Sequence, residues 1–301
     1  MKVKMKQINS HRKYKNLVEE DKLPFIIRIL LSIFLVLLVI IMAIPMLNVV
    51  AVSLSTRANA DSPGLILFPS PITFEGYSFI WKNFNLKHPF NNTLYISVVG
   101  TLLHVFMASL AGYVISKRDL PFRKQLTTFV MLTMAIPTEL SMIGLYSINK
   151  QLGLINTYTA LIVNGMIAGF SVFIMRNYFL SIPTSLEESA KLDGASEFRI
   201  FLSIYMRLST SAVMTIGTLE FIRRWNNISI VVTLISDMDK WTLPVILKML
   251  LFDSNSTSGN IFIFANAKMA AVVITAIPLI LLYFVSQNAF VSGAKTGAIK
   301  G

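Results

Sequence analysis

The chain has 301 residues, 54% hydrophobic and only 14% charged, with a mean hydropathy of +0.65. That balance belongs to an integral membrane protein and excludes an ordinary soluble domain. It has no cysteine, which excludes disulfides, thiolate metal sites and cysteine nucleophiles, and its three histidines, His11, His88 and His104, are scattered rather than gathered into a metal or catalytic set. The net charge of +12 points to nucleic acid or to membrane topology, and the placement of the basic residues decides between them.

Residues 1–24 form a basic, polar arm. Residues 25–54 follow as an apolar run with an internal Pro45, long enough to cross about 30 Å of hydrocarbon. Ala58-Asn59-Ala60 resembles a signal-peptidase site, but the run is about twice the usual core of a signal peptide and reads as an uncleaved first span. A polar loop with Pro63, Pro69 and Pro71 leads to a second span over 90–115 and a tight basic turn over 116–124. The third span covers 125–148, interrupted by Pro137 and carrying Glu139, and the fourth covers 160–180. Further spans are predicted over 209–235 and 266–287, with a polar loop between them and a glycine-rich basic tail over 292–301. The expected fold is therefore an all-α integral membrane protein, with a six-helix domain over 25–291.

Between the fourth and fifth spans, residues 182–208 have a helix–turn–helix grammar. Pro183 suits a first turn, and Ser185 with Glu188 three residues on reads as a capping box. Gly194 can stop the first helix at positive φ, and Ser196 can cap a second one whose Phe198, Phe201, Leu202 and Tyr205 share a face. The product is a compact knuckle suited to a groove on another protein.

The basic residues are distributed unequally. The arm through Arg28, the 116–124 turn, the 176–208 region and the tail hold eighteen Lys/Arg, whereas the alternate loops hold six: Arg57, Lys82, Lys87, Lys150, Lys240 and Lys248. The positive-inside rule then puts both termini and the knuckle in the cytoplasm, on a multi-pass protein of a bacterial cytoplasmic membrane. Most of the +12 is topology and attraction to anionic membrane lipid, with no nucleic acid implied.

The knuckle residues Glu187, Glu188, Ala190, Asp193, Gly194 and Ile204 resemble the EAA loop of ATP-binding-cassette importer permeases; Ser189 and Arg207 stand where that family usually has alanine and proline. NNTLYISVVGTLLHVFMASLAGYVISKRDLPFRK, LGLINTYTALIV, WNNISIVVTLISD, KWTLPV and the GAIKG ending resemble the sugar-importing, maltose-type members in order and spacing. The resemblance implies a coupling loop that docks on an ATPase subunit through Glu187, Glu188, Ala190, Asp193, Gly194 and Ala195. It also implies a second related permease, two ATPase subunits, an extracytoplasmic solute-binding protein and an oligosaccharide substrate. ATP and Mg would be held by the ATPase partners and no cofactor by this chain. Five residues after Gly293 stands Ala298, so the tail fails the phosphate-loop pattern, and no enzyme activity is expected.

Two features stand out within the predicted spans. EFIRRWNN (220–227) puts Arg223 and Arg224 at mid-membrane depth, where each costs about 2.5–3.5 kcal/mol on insertion scales. One reading makes them contact an acidic, uronate-containing oligosaccharide, with Trp225 stacking on a sugar face and Asn226 beside it. The other makes them structural partners of Glu220, with a neutral oligosaccharide as cargo. Glu139, beside Pro137, lines the path or bonds a neighbouring helix. A rival from another class is a secondary transporter driven by an ion gradient, which needs no docking knuckle.

Overall fold

A computed structural model describes residues 24–252 and 263–298, with side chains as far as residue 287. The arm through residue 23 and the last three residues of the tail lie outside the described residues. Among the described residues every regular element is helical. Three helices are long and apolar enough to cross a bilayer unbroken. They are α1 (Phe25–Ser53), α4 (Lys87–Ser116) and the first part of α14 (Ala265–Ala298). Between α1 and α4 lie a short turn, α2 (Arg57–Ala60), and an amphipathic helix, α3 (Glu75–Phe84), the latter packed on α14.

The other predicted spans are interrupted. The 125–148 stretch is α5 (Arg123–Thr133), a break, a 3₁₀ turn (Thr138–Ser141) and α6 (Met142–Gln151). Pro137 disfavours the α conformation at Ile136, and the helix stops before it. The 160–180 stretch is a six-residue helix, α7 (Tyr158–Val163), and α8 (Gly169–Phe179), parted by residues 164–168. After α9 (Thr184–Leu192), the helical segment α10 (Glu197–Leu208) meets α11 (Thr210–Trp225) at 83°. The 209–235 stretch breaks again after Trp225, before α12 (Ser229–Leu234), and α13 (Leu243–Phe252) completes the set. A half-helix that ends at membrane depth leaves carbonyls that the surrounding protein must satisfy.

The strut of the molecule is α4, whose 30 residues span about 45 Å at 1.5 Å per residue. It packs most extensively on α8 and α11. At its start Asn92 donates to the carbonyls of Asp239 (2.8 Å) and Trp241 (3.0 Å), and Thr93 accepts from the Leu243 amide at 2.7 Å. At its finish lies an aromatic core of Tyr113, Phe179, Phe201 and Tyr205, with ring centroids 4.8–6.5 Å apart. That core carries the knuckle.

Candidate functional site

Two charged clusters are built on α4, the first at the knuckle. Gly194 adopts φ +76° and ends α9: its amide bonds the Lys191 carbonyl (3.0 Å), while the Ala195 amide bonds that of Ala190 (2.9 Å). This is the Schellman pattern, which only glycine enters without a Cβ penalty. Ser196 then caps α10 by accepting the Arg199 amide. The expected capping box does not form. Helix α9 begins at Thr184, with Pro183 in the cap position and no side-chain cap, so Ser185 already lies inside the first turn. Nor do the four apolar residues of α10 share a face. A π turn over Phe201–Tyr205 buries Phe201 and Tyr205 while Phe198 and Leu202 stay exposed.

Glu187 and Glu188 are separated by about 100° around the helix and have different surroundings. Glu188, Asp193 and Gly194 are exposed, whereas Ala190 and Ala195 pack against the aromatic core. Glu187 turns inward. Its carboxylate accepts from Lys117 (2.5 Å), the Tyr205 hydroxyl (2.6 Å) and Lys191 (2.8 Å). Glu197 completes the group, 3.1 Å from Lys117 and 2.8 Å from Lys191, and also takes the Tyr113 hydroxyl at 2.6 Å. Burial alone would raise the Glu187 pKa, but the bonds from Lys117, Lys191 and Tyr205 prevail and hold it at about 2. The same contacts with Glu187 and Glu197 push Lys191 up.

The second cluster lies along α4 and α11. Glu220 is 4% exposed and holds both arginines. Arg223 reaches it through Nε (2.7 Å) and Nη2 (2.6 Å), and Arg224 through Nε (2.6 Å). The remaining Arg224 nitrogens donate to the carbonyls of Leu161 (2.9 Å) and Ile162 (3.2 Å), at the C-terminal end of the half-helix α7. Arg224 thus satisfies the carbonyls that the break exposes. His104, fully buried on α4, bonds the Gly165 carbonyl through Nδ1 and the Ser171 hydroxyl through Nε2, both at 2.8 Å. A carbonyl can only accept, so Nδ1 carries a proton there. The Arg224 guanidinium lies against the α4 backbone at Gly100, where a Cβ would come within 2.4 Å of Nη1.

Arg223 differs. Its side chain is 42% exposed and forms one wall of an opening whose other polar walls are Thr93, Asn164, Arg224, Asn227 and Thr242. The remaining predicted residues are not brought to that opening. Trp225 is fully buried, with its indole N–H on the Thr275 carbonyl (3.1 Å) and its ring against Phe221 and Phe90, so no face is free for a sugar. Asn226 is exposed toward Ser229, Pro244 and Lys248, and Glu139 is exposed on the 3₁₀ turn. Sequence reasoning missed His104, Asn164, Lys117 and Glu197. A histidine inside an apolar span was itself a signal, since an ionisable group there is a candidate for function by default.

The comparisons with known proteins agree with this architecture. Residues 104–296 match the family described as "Binding-protein-dependent transport system inner membrane component". The "Polygalacturonan/rhamnogalacturonan transport system permease protein YtcP" of Bacillus subtilis (strain 168) is 32% identical over 276 residues, covering 89% of this chain and 96% of that protein. The "Arabinooligosaccharides transport system permease protein AraQ" of Halalkalibacterium halodurans is 30% identical, covering 90% and 96%. A chain of a bacterial ABC transporter involved in the import of the acidic polysaccharide alginate has a TM-score of 0.81 and 26% identity, covering 88% of this chain and 99% of its own. The resemblance to sugar-importing ABC permeases is borne out, and the ion-gradient alternative is set aside. The chain belongs to the binding-protein-dependent transport system inner membrane component family, the membrane permease subunits of ABC importers.

Proposed function

We propose that this permease subunit imports acidic, uronate-containing oligosaccharides, and that Arg223 reads their carboxylates. The observation that carries the reading is the charge count at the opening. Glu220 offers one negative charge to two guanidinium groups, Arg224 is held by α7 carbonyls, and the surplus positive charge is left at the half-exposed Arg223. A carboxylate is the matching counter-charge for that guanidinium, whose remaining N–H groups can donate to it. A relative named for polygalacturonan and rhamnogalacturonan transport and a structural neighbour named for alginate support the same class.

The chain passes the membrane six times, three passages running through broken helices, with both termini cytoplasmic. Its domains are the arm (1–24), the permease body (25–291) and the tail (292–301). The knuckle (182–208) docks on an ATPase subunit through its exposed side, with Glu188, Asp193 and Gly194 outermost. A second permease, two ATPase subunits that bind ATP and Mg, and an extracytoplasmic binding protein complete the importer. Closure of the ATPases moves the knuckle and swings the helices between outward- and inward-facing states.

The second reading keeps Arg223 structural and the cargo neutral. The two-pronged Arg223–Glu220 pair favours it, as does the relative named for arabinooligosaccharides. The experiment compares Arg223→Gln with the native chain in the reconstituted importer, using an oligogalacturonide and its carboxyl-reduced counterpart. Acidic substrate recognition predicts that uptake of the oligogalacturonide falls roughly tenfold or more, the worth of a charged hydrogen bond, while the neutral sugar is unaffected. Equal losses overturn it and favour the structural pair, and no loss with either sugar overturns it by removing Arg223 from the pathway.

A further inference from the structure

The knuckle cluster and the Glu220 cluster share one element, and it is unbroken between them. In α4 the sole proline is Pro89, in the first turn, where it interrupts no hydrogen bond, and the helix then runs without a break to Ser116. Its last turn and C-cap supply Tyr113 and Lys117 to the knuckle. Gly100 and His104, about 25 Å and 20 Å back from Lys117 along the same helix, touch Arg224, Gly165, Ser171 and Glu220, the last with His104 Nδ1 3.6 Å from its carboxylate. Lys117 is the joint. Its side chain is 16% exposed, its ammonium lies between Glu187 and Glu197, and it sits 4.2 Å from the Tyr113 ring centroid and 5.4 Å from that of Tyr205. An ion pair held among aromatic rings has few alternative arrangements and is screened less than one at the surface.

We infer that the Lys117–Glu187 pair clamps the knuckle to the end of α4, so that the two move as one body and α4 carries knuckle displacement to the Glu220–Arg224 cluster. Lys117 is a positioning residue in this scheme and Glu187 faces inward as its counter-ion, which leaves contact with the partner to the exposed side of the knuckle. Packed interiors transmit displacement because they are close-packed and not continuously deformable. The clamp turns a push on α9 and α10 into a shift of α4, and outside its own helix Arg224 meets the α4 backbone at Gly100 and the α7 carbonyls of Leu161 and Ile162. The inference rests on the docking reading.

The test exploits the absence of native cysteine. Spin labels at Ser185→Cys on α9 and Leu102→Cys on α4, both exposed, report the knuckle-to-strut distance in the assembled importer, nucleotide-free and vanadate-trapped. The clamp predicts one narrow distance in both states of the native chain. It predicts a broadened one in Lys117→Gln, where binding-protein-stimulated ATP hydrolysis falls about fivefold or more, and recovery in Lys117→Arg. A shifted distance in the native chain on trapping overturns the clamp, as does a Lys117→Gln importer with native stimulation. If the ATPase subunits fail to co-purify with the native chain, the docking reading falls by itself. The clamp is then judged on the distance distribution alone, native against Lys117→Gln.

Discussion

The two charged clusters on α4 differ in one number. At the knuckle two lysines face two carboxylates, and each carboxylate also takes a tyrosine hydroxyl, so the group closes on itself. In the helix interior one carboxylate faces two guanidinium groups, and one of those is tied to backbone carbonyls. A balanced cluster is suited to holding two elements together, and an unbalanced one to holding something not yet present. On the proposed reading, the same side-chain chemistry serves mechanics at one end of α4 and recognition along its length.

Breaking the inner cluster has the largest expected effect. Arg224→Gln leaves Glu220 with one guanidinium and takes the guanidinium from the Leu161 and Ile162 carbonyls. Removing one member of a buried charged group costs roughly 3–5 kcal/mol. Thermal unfolding in detergent is expected to show that loss in Arg224→Gln, whereas Arg223→Gln, at an exposed position, should unfold close to the native chain. Equal destabilisation by the two substitutions would erase the distinction between them.

At the knuckle the effect is smaller and more local. Gly194→Val forces a β-branched residue to φ +76°, a strain of about 1–3 kcal/mol at the turn. Membrane insertion should survive while binding-protein-stimulated ATP hydrolysis falls; unchanged stimulation would remove the turn from the docking surface.

The smallest effect sharpens the balance of the knuckle cluster. The Glu187 pKa, about 2 in the folded chain against an ordinary 4.5, is depressed, so its contribution is fully present above about pH 4.5 and is lost as pH falls toward 2. Because Lys191 is half-exposed, that contribution is about 1 kcal/mol. The unfolding difference between native chain and Glu187→Gln should be flat from pH 7 to 4.5 and shrink below. A difference that shrinks already between pH 7 and 5 would contradict the pairing.

Local chemistry was legible in the sequence, whereas partnership across the fold was not. The apolar runs at α1, α4 and α14, the Gly194 turn, the Ser196 cap and the break at Pro137 follow from residues within a few positions of one another. The break over 164–168 has no proline to announce it. Arg224 finds carbonyls 62 and 63 residues away, and Lys117 finds Glu187 at a separation of 70. Neither pairing leaves any periodicity to read. The charge imbalance at 220–224 was visible, but not that one arginine would be occupied by backbone, because exposed carbonyls appear only once a helix is known to break. Trp225 read as a sugar platform for the same reason: its burial against Phe90 and Phe221 depends on α4 and α11 coming together.

The Arg224 contacts have a consequence for how the chain is made. Leu161 leaves the ribosome 63 residues before Arg224 does. Throughout that interval the end of α7 has no arginine to bond its carbonyls, and hydrocarbon cannot do so. Water or the insertion machinery must solvate that end until α11 is delivered, so the end of α7 is completed only after α11 although it is synthesised earlier. Biogenesis of this permease therefore has a built-in waiting step, whose duration is set by the length of chain between a broken helix and the side chain that completes it.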